Sequence, residues 1–306
     1  MRHNYDNYNY WPLNIRELPS RGIFYNENAK IKVRPMTVLE VKFLSTMMPA
    51  TATHICNELL EKCTIFENLE YEELVLPDRE YIIFWIRLNS ITTKNGFTVN
   101  LPDCEGCHST ISKDIKLEEL DFKYLDDGFD PDVHLPDSGD NLKLKIPTYN
   151  MSTIDTIDEF GELAIYIDDD TMDFMDKYDY VSNLSAYDYI TLKSAVDMNY
   201  CGIIHEITVE CPKCHRQYRI KLQINDQNLF CTVNLMEILE TITRICKYSN
   251  VQITNDWTWI EVELEQQIIN KLIEEENEYN RKELAKANAK AQSVHIPGAP
   301  HIPSFR

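Results

Sequence analysis

The chain has 306 residues, 43% of them hydrophobic, which is enough to bury a sizeable core in one large domain or two modest ones. Thirty basic against fifty acidic side chains give a net charge of −20, which disfavours nucleic acid and anionic lipid as partners unless a basic face is concealed. No run of about 18 apolar residues occurs, so no membrane span is expected, and the opening MRHNYDNYNYWPLN lacks the apolar centre of a secretory signal.

Residues 1–22 read as an extended, aromatic-rich arm, with Tyr5, Tyr8, Tyr10 and Trp11 interleaved with Asn, and Pro12 and Pro19 opposing regular structure. Two readings of these aromatics stay open: docking on a partner, and packing back on their own domain. The stretch KIKVRP alternates as a strand. Thr37 and Glu40 form a capping box that opens a helix through VKFLSTMM. A second helix covers ATHICNELLEKCTI, and a third runs from Asp78 through REYIIFWIRLNS. Asn95-Gly96 marks a turn before the first Cys-x-x-Cys, so residues 23–120 form a helical N-terminal region plus one knuckle.

From Glu118 to Asp140 the chain is acidic and turn-rich, as a linker or insertion boundary would be. NLKLKIP and ELAIYI then read as strands, and LSAYDYITLKSAVDMN as a helix with Ser185 and Asp188 as its capping pair, giving an acidic α/β insertion over residues 121–200. Strand, second cysteine turn and strand fill residues 201–231. A C-terminal helical region covers residues 232–292. It holds the amphipathic NLMEILETITRICKY, capped by Asn234 with Glu237, and a long helix from about Asp256 to Gln292. That helix is apolar at Trp259, Ile260, Leu264, Ile268, Leu272 and Ile273. Beyond Ile273 it is polar on all sides, so its outer half projects into solvent or lies against another chain. Three prolines exclude a helix from the tail, residues 293–306.

Nine cysteines in a chain with no export signal point to metal ligands or buried thiols rather than disulfides. Cys104 with Cys107 and Cys211 with Cys214 lie in matching contexts, FTVNLPDCEGCHSTISKDI and HEITVECPKCHRQYRIKLQI, strand–knuckle–strand twice. Zinc takes four soft ligands in a tetrahedron, and each turn supplies two, so the pairs are expected to form a single closed, structural zinc site in a split ribbon. A redox pair would need its Cys-x-x-Cys at the start of a helix, where the dipole lowers a thiol pKa, and both turns here are flanked by strand sequence. Two separate disulfides are the other competing reading. His108 and His215 follow their turns too closely to replace a cysteine and are expected beside the site or on the surface. Cys56, Cys63, Cys201, Cys231 and Cys246 lie in apolar patterns and read as buried thiols.

Enzymatic motifs are missing: there is no GxGxxG, P-loop, HExxH or GxSxG, and eight glycines are few for phosphate-cradling loops. Asp168, Asp169, Asp170 and Asp173 lack the glycine and terminal glutamate of a calcium loop and read as a solvated acidic loop. The expected fold class is α+β: a helical N-terminal region, a split four-cysteine zinc ribbon with a long acidic α/β insertion, and a long C-terminal helix.

The stretch LPSRGIFYNENAKIKVRPMTVLEVKFLST carries a resemblance. Leu18, Pro19, Ser20 and Gly22 lead to Tyr25, a strand closes in Val33, Arg34, Pro35, Met36 and Thr37, and a helix follows with Glu40 and Leu44. This is similar to the opening of the baseplate hub proteins of contractile-tailed phages of the T-even type. The order of elements is similar over residues 15–275, with the sharp part confined to some twenty residues near the N-terminus. The resemblance implies a non-enzymatic structural or assembly protein of the tail baseplate, made in the host cytoplasm and located in the virion. Its partners would be other tail and baseplate proteins, with no small-molecule substrate, no membrane and no nucleic acid. Residues 1–20 and 293–306, with the outer half of the last helix, are expected to contact neighbouring subunits. The alternative is a zinc-ribbon nucleic-acid-binding protein of phage replication or transcription, for which Lys213, Arg216, Arg219 and Lys221 are the candidate cations.

Overall fold

Alternating apolar and charged residues draw three short strands together near the N-terminus: β1 (Trp11–Leu13), β2 (Lys30–Val33) and β3 (Thr64–Glu67), antiparallel and in that order. Ile31 and Val33 face the core, while Lys32 reaches Glu67 on the other side at 2.5 Å. The computed structural model describes residues 9–92, 96–101, 103–148, 158–204, 206–221, 229–230 and 234–293. Pro12, expected to oppose regular structure, lies within β1, opposite Lys32. β1 is an edge strand, where a missing amide hydrogen costs no ladder bond on the open side.

Three helices cover this sheet: α1 (Val38–Leu44), α2 (Ala52–Cys63) and α3 (Leu76–Ser90). α1 ends earlier than the sequence suggests. Pro49 disfavours helical backbone at the residue before it, and the amides of Thr46 and Met47 close back on Phe43 and Leu44 as a turn. α3 starts two residues earlier than expected because Pro77 fits its first turn, where no amide donor is needed. Leu18, Ile31, Val33, Met36, Leu44, Leu59, Leu60, Ile82 and Ile86 form the centre of the core. Helices α7 (Leu235–Ser249) and α8 (Trp259–Ser293) close it with Ile238, Ile245, Trp259, Val262 and Ile269. The two ends of the chain are also joined by backbone, Trp259 N–H donating to Met36 C=O and Val38 N–H to Trp257 C=O, each at 2.8 Å.

Strands β4 (Gly96–Leu101) and β5 (Ile111–Lys116) form the first cysteine hairpin, and β10 (Glu206–Glu210) and β11 (Gln217–Lys221) the second. Between them the chain leaves and returns through β6 (Phe122–Lys123) paired with β9 (Gly202–Ile203). The intervening segment has its own apolar cluster, with Val133, Leu135, Leu144, Leu163, Ile167, Val181 and Leu192. These come from β7 (Asp132–His134), β8 (Asn141–Lys143), α4 (Glu159–Ala164), α5 (Phe174–Ser182), α6 (Ala186–Asn199) and their connections. Strands and helices are thus mixed in small antiparallel sheets, as the α+β expectation requires.

Two sequence expectations fail here. ELAIYI, expected as a strand, begins as the end of α4, because the Asp158 carboxylate caps that helix from Phe160 N–H at 3.2 Å and Gly161 N–H at 3.1 Å. The apolar list for the last helix is inverted in part. Val262 and Ile269 are buried, whereas Leu264, Ile268 and Leu272 are more than half exposed on the opposite side. From Glu274 through Ala289 every residue of α8 is exposed. The tail from residue 294 and the turn residue Asn95 lie outside the described residues, as do residues 1–8 of the expected arm.

Candidate metal centre

Each cysteine turn is held by the same backbone pattern. In the first, Cys104 N–H donates to Ser109 C=O at 2.9 Å and His108 N–H to Cys104 C=O at 2.7 Å. In the second, Cys211 N–H donates to Arg216 C=O at 2.9 Å and His215 N–H to Cys211 C=O at 3.0 Å. His108 and His215 both take left-handed backbone, φ 54° and 60°, which turns each loop back after its second cysteine. This corresponds to the matched strand–knuckle–strand context read from the sequence.

The two turns face each other and bring Cys104, Cys107, Cys211 and Cys214 together, with all four sulfurs within 4.8 Å of one another. Cys104 Sγ lies 3.4 Å from Cys214 Sγ, and Cys107 Sγ 3.6 Å from Cys211 Sγ. A disulfide would need about 2.05 Å, so the contacts are non-bonded. Tetrahedral ligation with metal–sulfur bonds of about 2.3 Å sets neighbouring sulfurs about 3.8 Å apart, close to the spacing observed. The donor set and geometry therefore fit one tetrahedral metal ion. Cys104 and Cys211 are buried, Cys107 is half-buried and Cys214 is exposed at the rim.

The surroundings favour negative charge on part of the cluster. The Tyr218 hydroxyl, 3.0 Å from Cys104 Sγ, leads the causes that bring this thiol down to about 6. Ser109, at 3.3 Å, lowers Cys107. Cys214 is lowered by the backbone at Arg216, but sharing protons with Cys104, Cys107 and Cys211 outweighs this and pushes it up to about 12. Four thiols this close cannot all be ionised without a cation among them. Tyr218 and Ser109 were not singled out from the sequence; the available signal was a hydroxyl residue within four positions after each Cys-x-x-Cys.

Other candidates fall apart or prove structural. His108 and His215 are on the surface, and His215 pairs with Glu210 through Nδ1. Cys56, Cys63 and Cys201 are buried thiols as expected, while Cys246 is exposed on α7 because it lies on the side of that helix turned away from the core, next to buried Ile245, and Cys231 lies outside the described residues. Asp168–Asp173 form no ligand cluster: Asp169 accepts from Thr171, and Asp173 caps α5 by accepting from Asp176 N–H at 2.9 Å. Of the cations after the second knuckle, Arg216 lies 3.5 Å from Glu105.

The LPSRG…VRPMT stretch becomes a set of interior fasteners. Ser20 donates through its amide and hydroxyl to buried Asp78, and Tyr25 O–H donates to the same carboxylate at 2.6 Å. Burial raises the pKa of Asp78 and that of Tyr25, whose hydroxyl also faces the Asp78 charge. Arg34 makes two bonds to buried Glu40, at 2.8 and 2.6 Å, and its guanidinium also reaches the carbonyls of Pro35 and Lys62. Met36 N–H donates to Ser90 Oγ at 2.8 Å. Tyr10 and Trp11 of the arm pack back on the chain, Arg34 Nε–H donating to the Tyr10 hydroxyl oxygen at 3.3 Å and the Trp11 ring lying 6.3 Å from the Trp85 ring.

Compared with models of protein families, residues 14–230 match the one described as T4 bacteriophage base plate protein. The match spans the N-terminal core, both cysteine hairpins and the segment between them, and ends before α7. Comparison with curated proteins and with solved structures gives no match.

Proposed function

Since the chain belongs to the T4 bacteriophage base plate protein family, whose match covers more than two thirds of its length, we propose that it is a non-enzymatic component of the hub region of a contractile tail baseplate. The family match is the observation that carries this reading. The interior location of the resemblance residues supports it, since the shared pattern is then a shared core rather than a shared surface. In this reading the chain works by holding shape and by contacting neighbouring tail proteins.

Cys104, Cys107, Cys211 and Cys214 would hold one zinc ion. Four thiolates close the coordination shell, leaving no position for a water or substrate, so the ion would supply cross-linking and no catalysis. The chain's own residues do the rest: Tyr218 and Ser109 stabilise thiolate at Cys104 and Cys107, and the two hairpins orient the sulfurs.

An early stop codon in the gene tests the functional reading. Infection of a non-suppressing host should give filled heads without complete baseplates, and intact infectious tails would overturn it. DNA binding by the purified protein should be weak and nearly independent of salt. Tight, salt-sensitive binding would instead favour the nucleic-acid reading of the ribbon.

A further inference from the structure

Helix α8 is 35 residues long, and its body-facing side is short. Trp259, Val262 and Ile269 are buried, with Ile273 packed beside them. At about 100° per residue, a side turned about 140° away carries Leu264, Ile268, Leu272, Glu275, Tyr279, Lys282 and Lys286 in line. Leu264, Ile268, Leu272 and Tyr279 are 52%, 55%, 58% and 64% exposed. From Ile268 onward these positions alternate in steps of four and three, the spacing of a helix–helix seam.

The charges along this line are not uniform. Its first half is apolar with Glu261 and Glu265 at its edge, and its second half is lysine-bearing around one tyrosine. The two halves complement each other when the helix is laid against itself in reverse. One register sets Ile268 opposite Tyr279, Glu265 opposite Lys282 and Glu261 opposite Lys286, all at once. We propose that α8 pairs antiparallel with α8 of a second copy of this chain, about a two-fold axis between Ile273 and Glu274.

The arrangement is isologous, so every favourable pair occurs twice. The overlap from Glu261 to Lys286 runs about 39 Å at 1.5 Å per residue. Because each protein body lies on the far side of its own α8, the two bodies are carried apart. A parallel pairing would set Glu265 against Glu265, which the register above avoids. Lys282 and Lys286 already meet Glu278 and Glu283 at 2.7 and 2.8 Å, but these pairs are exposed and can be exchanged at little cost. Glu275 faces Leu272 beside the axis, and Leu264 lies level with Glu283; these are the mismatches in the seam. The surface lies outside residues 14–230, so the proposal does not depend on the baseplate reading.

Sedimentation equilibrium of the full-length protein over a concentration series tests it. The wild type should be a dimer. Glu265→Lys alone, or Lys282→Glu alone, turns two attractive pairs repulsive and should weaken dimerisation roughly tenfold. The double variant Glu265→Lys/Lys282→Glu restores opposite charges across the two-fold axis and should recover most of the affinity. Ile268→Asp should give monomers with unchanged helix content, since the residue is exposed. A wild type that stays monomeric, a dimer that the single reversals leave intact, or a double variant no better than the singles would overturn the proposal. So would a monomer that uses this face only to bind a basic helix of another protein.

Discussion

The N-terminal core and the paired cysteine hairpins are both built on short antiparallel strands, but their stabilisation differs. Around β1–β3 and α1–α3 the chain buries a continuous set of aliphatic side chains and threads paired polar groups through it, Ser20 and Tyr25 on Asp78 and Arg34 on Glu40. Among the described residues, the hairpins share a small cluster of Cys104, Ile111, Val209 and Cys211, with Cys107, Ile207, Tyr218 and Ile220 beside it. β4–β5 and β10–β11 are separate two-stranded sheets with no ladder between them. A lone hairpin is marginal in water, and four buried side chains do not change that. At their cysteine ends the two hairpins are therefore joined by the sulfur cluster, while Ile115, Ile207 and Ile220 seat their other ends on the core, which is joined by its own burial.

The proposed zinc site offers the strongest way to break this comparison. Structural zinc sites in small folds contribute on the order of 10 kcal/mol at neutral pH. The purified protein should carry one zinc per chain, and Cys211→Ser or a strong chelator should release it. Hydrogen exchange should then show lost protection in residues 96–116 and 206–221, with α1–α3 still protected. Two zincs per chain, none with the cysteines intact, or uniform loss across the molecule would each contradict a site local to the hairpins.

How much of this was readable beforehand follows the same division. The knuckles were legible because a Cys-x-x-Cys turn is local: spacing alone sets two ligands, and the flanking alternation sets two strands. The meeting of residues 104–107 with 211–214 was also inferred, from the match of the two contexts. The core's fasteners were not. Glu40 read as a helix cap, and it does accept from Thr37 N–H at 2.7 Å, but its pairing with Arg34 depends on how β2 and α1 meet. Asp78 read only as a helix start, because its partners lie more than fifty residues away in sequence. In α8 the helical period offers two apolar lines, Val262–Ile269 and Leu264–Ile268–Leu272, and periodicity cannot say which one the body covers. Cys246 was misplaced for the same reason.

The next test sharpens the core's side of the comparison. Arg34 and Glu40 have side chains 3% and 8% exposed, so removing one partner leaves a buried charge uncompensated. Arg34→Met should cost about 3–5 kcal/mol in urea unfolding, whereas Arg34→Met with Glu40→Leu should recover much of that loss. The pair also sets an acid limb. Burial pushes the Glu40 carboxyl up, and its bonds from Arg34 more than reverse this, leaving it below the ordinary 4.5. A carboxylate depressed in the folded state adds stability that is present above its unfolded pKa and lost as pH falls through the folded one. The wild type should lose stability below pH 4.5 more steeply than the double variant. Equal slopes would mean that Glu40 does not hold its charge in the folded protein.

The smallest effects come from two glycines, one in each region. Gly22 has φ +69°, and a Cβ there would sit 2.1 Å from Ile15 Cγ2, so both the backbone and the neighbour object to a side chain. Gly22→Ala should cost about 1–3 kcal/mol, combining left-handed strain with displacement of Ile15. Gly106 lies between the two cysteines of the first knuckle, where a residue under comparable constraint would be expected. Its backbone is not left-handed, and a Cβ would meet Cys214 Sγ and Cys104 Sγ at 3.7 and 3.8 Å, ordinary contact distances. Gly106→Ala should therefore stay within about 0.5 kcal/mol of the wild type and keep its metal. Thermal unfolding with metal analysis on the two variants compares the regions directly. If alanine at residue 106 released the metal while alanine at residue 22 was silent, the core would be the adaptable region and the hairpins the rigid one, the reverse of the arrangement derived from their packing.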